Sequence, residues 1–319
     1  MTDPGLFDVD VVRASDALAR DISWAHQRDI RVLGIPVVCQ SNSRYVCDRF
    51  ADAFAVCQHE EGDAPGAPAL VVRIAIVDWP EEGARSPDVR TFALDGHRLL
   101  LHSSGGVAWI DPERREAVAF VGAAIAADRR RFTRHVLEAM TLALLTHYDR
   151  HPVHGSAVVH GANAVLLVGP SGSGKSTLAH AAHEAGLMVL SEDTVWIQQQ
   201  PQFRVWGLPR AVHLLDGSSP EKRVVALTRT EAATPCSASA ATVCLLERGH
   251  RSAQLERLGG DAIAEALSRD VASGFDRYPD RHRAVVRRLA APGGWRLKLT
   301  DDASAALPLL TRMLNAGTS

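Results

Sequence analysis

The run Gly169-Pro170-Ser171-Gly172-Ser173-Gly174-Lys175-Ser176-Thr177 packs three glycines, a lysine and two adjacent hydroxyl residues into nine positions. It fits G-x-x-x-x-G-K-[ST] without a mismatch. Glycines in that pattern let backbone N–H groups close around phosphate oxygens at a helix N-terminus, where the dipole favours negative charge. Lys175 would then reach the β- and γ-phosphates of a nucleotide, and the Ser176 hydroxyl would complete a Mg²⁺ shell. The expected nucleotide contacts are Gly169, Ser171, Gly172, Ser173, Gly174, Lys175, Ser176 and Thr177.

Such a loop alone does not separate a kinase from a transporter ATPase or a GTPase; the partner carboxylates decide. No L-S-G-G-Q and no N-K-x-D occurs in the chain, which removes the ABC-type ATPase and the Ras-like GTPase. Instead Met188-Val189-Leu190-Ser191-Glu192-Asp193-Thr194-Val195-Trp196-Ile197 is an apolar strand pattern carrying two adjacent acids, with Asp193 eighteen residues after Lys175. One helix and one turn fit in that interval. The acid-bearing strand is therefore expected beside the strand that feeds the loop, aiming its acids at the γ-phosphate. Successive strand residues face opposite ways unless a bend intervenes, so one acid can face Mg²⁺ while the other orients a nucleophile. His154, twenty-one residues before Lys175, is expected near the end of the same strand. There it can hydrogen-bond a carboxylate and tune its basicity.

The elements that must position these groups are legible as patterns. Ala164–Val168 is a short buried strand before the loop, and residues 178–185 continue a helix after it. Ala157–His160 pairs with the strand before the loop. Leu187–Ile197, Arg204–Trp206, Ala241–Glu247 and Trp295–Leu299 read as strands; Asp261–Leu267, Pro279–Leu289 and Ala303–Leu314 read as helices. Upstream, a helix is expected over Ala14–Gln27, a strand over Ile30–Val38, a helix over Arg44–Cys57, a loop over Glu60–Pro68 and a strand over Leu70–Trp79. A β-meander spans Val89–Val121, with turn signals at Asp95-Gly96, Ser104-Gly105-Gly106 and Asp111-Pro112. Phe132, Val136, Leu137, Met140, Leu144, Leu145 and Tyr148 have helical spacing and predict one long helix over Asp128–Tyr148. The whole reads as α/β with a mixed sheet. The expected organisation is an N-terminal α+β domain over 1–127, a bridging helix over 128–150 and a catalytic domain over 151–319.

Length and composition agree with a soluble globular chain of two domains. A net charge of −2 gives no electrostatic case for nucleic acid or an acidic membrane surface. Lys175, Lys222 and Lys298 are the only lysines among 35 basic residues, so the loop carries a lysine in a chain that otherwise uses arginine. The compact ammonium suits phosphate there as the guanidinium fork does not. Five dispersed cysteines without a C-x-x-C predict reduced, buried thiols. The polar, acidic opening has no signal-peptide pattern, and no apolar run is long enough to span a bilayer. A cytoplasmic protein is expected.

With His154-Gly155-Ser156, the 169–177 loop and Glu192-Asp193 in view, residues 150–300 resemble the catalytic domain of the HPr kinase/phosphorylase family, which has a histidine before the loop and an Asp-Asp pair at these spacings. The resemblance implies a P-loop kinase-like fold of the HPr kinase/PEP carboxykinase type, ATP and Mg²⁺ as cofactors, and a serine hydroxyl of a peptide or small protein as acceptor. It makes Asp193 the proton acceptor, His154 its support, and Ser176 with Glu192 or Asp193 the metal ligands. Leu255-Glu256-Arg257-Leu258-Gly259 is similar to an acidic-Arg-Leu-Gly element of the family, which makes Arg257 catalytic. Family members assemble into rings, so a homo-oligomer is an expectation of the resemblance.

The departures are specific. Glu192 replaces the first Asp, Arg204 stands where the family has a second metal-binding Glu, and Ala291-Pro292-Gly293-Gly294-Trp295 replaces the phosphorolysis segment, so the reverse reaction does not carry over. Residues 1–150 are unlike the family's regulatory domain. The chain is similar instead to divergent members that phosphorylate lasso-peptide precursors, in which a Gly-x-Pro-Arg stretch like Gly207–Arg210 follows the acid strand. A small-molecule hydroxyl kinase and a nucleotide-sensing interaction protein with little transfer activity are the alternatives.

Overall fold

A computed structural model describes residues 22–58, 68–79, 90–95, 98–103, 105–215, 222–227, 235–269 and 278–316. The chain is mixed α/β, and its contacts divide it into two compact units, Met1–Tyr148 and Asp149–Ser319. Among the described residues no helix is long and apolar enough to cross a membrane.

The first unit begins with a hairpin, β1 (His26–Val32) and β2 (Ile35–Ser41). The strand expected over Ile30–Val38 is broken there because Leu33 and Gly34 turn the chain with φ of 48° and 79°. Two positive φ values in a two-residue loop match the twist of a hairpin. Of the helix expected over 14–27, residues 22–25 are irregular and 26–27 belong to β1, while 14–21 lie outside the described residues. Most of the loop expected over Glu60–Pro68, and the turn positions Gly96 and Ser104, lie outside them too.

Helix α1 (Arg44–Phe54) buries Val46, Cys47, Phe50, Ala53 and Phe54, and ends in a 3-10 turn over Ala55–Cys57. The remaining strands are β3 (Leu70–Val77), β4 (Arg90–Asp95), β5 (Arg98–Ser103), β6 (Gly106–Asp111) and β7 (Glu116–Gly122). They join in one seven-stranded sheet in the order β1-β2-β3-β7-β6-β5-β4. The expected meander is its antiparallel β4–β7 half, whereas β2, β3 and β7 run parallel.

The long helix expected over 128–148 is segmented into α2 (Ala123–Ala127), α3 (Arg129–Arg131), a π-helical turn over Phe132–Glu138 and α4 (Ala139–Thr146). Asp128 accepts a hydrogen bond from the Arg131 amide at 3.0 Å and so caps α3. Phe132 and Leu137, both fully buried, are five residues apart. A π turn brings such a pair onto one face, where a 3.6-residue repeat would separate them. All of these segments fall within the first unit.

The second unit runs β8 (His151–His154), β9 (Ser156–His160), β10 (Asn163–Val168), α5 (Lys175–Glu184), β11 (Met188–Ser191), β12 (Thr194–Gln198), β13 (Arg204–Trp206), β14 (Ala211–Leu215) and β15 (Lys222–Ala226). It continues β16 (Ser237–Ala238), β17 (Ala240–Arg248), β18 (Gln254–Leu258), α6 (Gly260–Arg269), α7 (Pro279–Ala290), β19 (Gly294–Leu299) and, after a 3-10 turn, α8 (Leu307–Ala316). A six-stranded mixed sheet has the order β11-β9-β10-β17-β19-β18, a four-stranded sheet the order β16-β13-β12-β8, and β14-β15 is a separate hairpin.

Strand β10 is buried along its whole length. Ala164, Leu166 and Val168 pack into a core with Val195, Ile197, Val285 and Leu289, while Val165 and Leu167 pack into another with Leu178, Leu310 and Leu314. An apolar layer on both faces is what turns a six-residue strand into a rigid mount for the loop that follows it. Cys236 and Cys244 are buried thiols, as are Cys39 and Cys47 in the first unit.

Asp149 anchors the start of this unit with φ 59°. Its carboxylate accepts hydrogen bonds from the Gln199 and Gln200 amides at 2.7 and 2.6 Å and stands 3.0 Å from His151 Nε2. Burial pushes its carboxyl up, but the His151 and backbone hydrogen bonds together outweigh that and hold it below the usual range. A lowered folded-state value means the contribution is present above the unfolded value, about 3.9, and is lost as pH falls through the folded one. Asp149→Asn should therefore destabilise the chain by about 1–3 kcal/mol at pH 7. Denaturant unfolding should show that difference shrinking between pH 4 and pH 2; a constant difference across that range would refute the assignment.

Candidate functional site

The 169–177 loop joins β10 to α5. Gly172 and Gly174 have φ of 83° and 99°, values that a side chain resists, and Gly174 stands immediately before the helix. Leu178 makes the first helical hydrogen bond back to Gly174, at 2.8 Å. The amides of Lys175, Ser176 and Thr177 thus belong to the first turn, whose donors have no intrahelical partner and face the loop's concavity. Ser171, Gly172 and Thr177 are exposed along it. Lys175, only 8% exposed, folds its ammonium onto the Gly169 and Pro170 carbonyls. Ser173 is 7% exposed, and its hydroxyl has no hydrogen-bond partner among the described residues.

The acids arrive differently from the expected arrangement. The strand predicted over Leu187–Ile197 is two strands in two sheets: β11 pairs with β9, and β12 pairs with β8 and β13. β9 therefore lies between the acid strand and β10, and the acids do not come from the loop strand's neighbour. The physical cause is a bend at Glu192-Asp193, preceded by a bulge between Val189 and Ser191. The bend is held by hydrogen bonds from Gly155 N to Asp193 O at 2.8 Å and from the Ser156 hydroxyl to Glu192 O. Gly155 is required here, because a Cβ would lie 2.8 Å from Leu167 O.

The bend sends the two acids to different partners. Glu192 Oε1 accepts a hydrogen bond from Ser176 Oγ at 2.8 Å, and Glu192 Oε2 stands 2.8 Å from His213 Nδ1. Its side chain is 13% exposed. Asp193 is 63% exposed, with Oδ1 3.5 Å from His154 Nδ1. His154 reaches it because β8 and β12 pair with Thr194 opposite His154. The loop, Ser176, Glu192, Asp193 and His154 thus meet at one end of the six-stranded sheet.

Other residues lie apart from this group. Arg257 donates to Pro292 O at 2.7 Å and stacks 4.8 Å from the Trp295 ring. It sits on β18, three strand spacings, or about 14 Å, across the ladder from β10. Arg204 stacks on Trp206 at 5.6 Å and donates to Ser237 Oγ at 3.2 Å. Trp206 is fully buried, and its indole donates to Gln198 Oε1 at 2.7 Å. Gly207 presses on the strand before the acids: a Cβ there would lie 2.1 Å from Leu190 O. The turn after Trp206 therefore has a structural task behind the acid bend.

His213 was not legible as a site residue. The apolar run Ala211–Leu215 has strand character, but its partner β15 lies beyond residues 216–221, and no spacing ties position 213 to Glu192. Val212 carries the visible signal, because it packs with Ala179 of α5 and Val189 of β11 and so delivers the next residue to the carboxylate.

Among the described residues no cluster of three or more His, Cys, Asp and Glu side chains could hold a metal by itself. Ser176 and Glu192 do offer two hard oxygen donors in contact. That set fits Mg²⁺, which keeps several waters and takes one or two carboxylates plus substrate phosphates.

No family model and no curated protein matches the chain. Among solved structures it is similar to the Hpr(Ser) kinase/phosphatase from Coxiella burnetii, at 14% identity and a TM-score of 0.31, over 53% of this chain and 90% of that one.

Proposed function

We propose that the chain is an ATP-dependent kinase that transfers the γ-phosphoryl group to a serine-type hydroxyl of a peptide or small protein. The observation that carries the reading is the split of the acid pair at the loop, with Glu192 on Ser176 at 2.8 Å and Asp193 beside His154 at 3.5 Å. A mostly covered carboxylate on the loop hydroxyl and an exposed one open to an acceptor are the two roles phosphoryl transfer requires.

In this reading the amides of the 169–177 loop and Lys175 bind the triphosphate. Ser176 and Glu192 would hold Mg²⁺, whose positive charge lowers the cost of charge developing on the phosphate oxygens. Asp193 takes the proton of the acceptor hydroxyl as its oxygen bonds to the γ-phosphorus and the bond to the β-phosphate oxygen breaks, leaving ADP. His154 positions the Asp193 carboxylate. Most of the acceleration comes from positioning and charge neutralisation, with the base adding about 10²–10⁴-fold.

The test is incubation of the chain with γ-labelled ATP, Mg²⁺ and the peptides and small proteins encoded beside it. Label recovered as phosphoserine is expected. Label found only on a metabolite would shift the reading to a small-molecule kinase, and ATP bound without transfer would make the chain a nucleotide sensor.

A further inference from the structure

The glycine-rich loop has two flanks, and the acids occupy one of them. The other is β17, the parallel neighbour of β10. The end of β17 touches the loop at both ends: a Cβ on Gly169 would lie 3.2 Å from Leu246 O, and one on Gly174 would lie 3.5 Å from Arg248 Cδ. The Arg248 stem thus runs along the residue before Lys175, and its head is exposed. Among the described residues the Arg248 guanidinium makes no hydrogen bond or ion pair. The adjacent acid does not neutralise it, because Glu247 is engaged by His250 at 2.8 Å and Arg296 at 3.5 Å. Lys298 is likewise directed elsewhere, toward Glu256 at 3.7 Å. Inside the loop, the buried Ser173 hydroxyl is a second polar group without a partner among the described residues.

We infer that Arg248 grips the α- and β-phosphates of the bound nucleotide, an inference that rests on the nucleotide reading proposed above. The transferred phosphoryl must face Asp193, so the remainder of the nucleotide extends toward the opposite flank. Ligands of open α/β sheets lie across the C-terminal ends of neighbouring parallel strands, and β10 and β17 are such a pair. A planar fork with uncommitted donors suits bidentate pairing with phosphate oxygens. The loop amides and Lys175 would hold one side of the chain of phosphates and Arg248 the other.

Calorimetric titration of the full chain with MgADP and with MgATP tests this. Arg248→Ala should weaken both nucleotides by a similar factor, about 10- to 100-fold, the range for charged hydrogen bonds. Arg248→Lys should restore only part, because an ammonium cannot pair bidentately. It also serves as the test variant should Arg248→Ala lower the unfolding midpoint. Undiminished binding of both nucleotides would overturn the inference and leave the kinase reading intact. A loss confined to ATP would overturn the placement at the α- and β-phosphates. A wild-type chain that binds neither nucleotide would overturn this inference and the proposed function together.

Discussion

Asp193→Asn is expected to lower phosphoryl transfer about 10²–10⁴-fold, the span that general-base assistance covers, while leaving ATP binding nearly unchanged. The separation follows from where the carboxylate stands. Asp193 is 63% exposed and 3.5 Å from His154, and the loop hydroxyl is engaged by Glu192 instead. The amide of asparagine keeps the shape of the side chain and cannot take a proton. The Asp193 carbonyl accepts from Gly155 N at 2.8 Å through the backbone, so the bend survives the substitution. Single-turnover transfer and equilibrium nucleotide binding, measured on the same preparation, check the prediction. An Asp193→Asn chain that phosphorylates its acceptor at near-normal rate would sink the assignment of the base. His154→Ala should produce a smaller loss of the same kind, since that ring acts through Asp193.

What could be read from residues alone follows a physical division. The β10-loop-α5 unit is local: its glycines, its buried strand and its helix lie within about twenty consecutive positions, so pattern and structure coincide. The interval from Lys175 to Asp193 is filled by α5, a turn and β11, as one helix and one turn require, whereas His154 stands 3.5 Å from Asp193 because β8 pairs with β12. The route of the acid strand was not legible. Leu187–Ile197 is two apolar runs around Ser191-Glu192-Asp193-Thr194, and that polar interval suits one strand carrying acids as well as a bend between two strands that change sheets. The change depends on contacts to remote residues, namely Gly155, Ser156 and Gly207, none of which is local to the acids. His213 was hidden for the same reason, since its role rests on a hairpin packing against α5. In the first unit the hairpin at Leu33-Gly34 carried a glycine signal, whereas the π turn over Phe132–Glu138 follows from packing Phe132 and Leu137 on one face.

The length of the Glu192 side chain also becomes intelligible in these terms. Glu192 spans from the bend to Ser176 and His213 together, with 2.8 Å contacts at both oxygens. Its length lets one carboxylate bridge α5 and the β14–β15 hairpin, and it lies by the positive end of the α5 dipole.

Glu192→Gln is therefore expected to act on metal dependence, where Asp193→Asn acts on proton transfer. The glutamine oxygen can still accept from Ser176 Oγ, so the fold and the loop should persist while the charge is lost. Transfer should fall about 10²–10³-fold, as when one preorganised electrostatic group is removed. The Mg²⁺ concentration for half-maximal rate should rise by about 10²-fold, the upper end of what losing support around a metal costs. Titration of Mn²⁺ by electron paramagnetic resonance, in the presence of ADP, reads the same loss without turnover. His213→Ala, which leaves the charge in place, should shift Mn²⁺ affinity less than Glu192→Gln does. If Glu192→Gln lowered thermal stability but left Mn²⁺ affinity and the Mg²⁺ profile where they are in the wild type, the carboxylate would be only a brace between Ser176 and His213. The metal would then have to be sought on Asp193, and the division of labour between the two acids would be reversed.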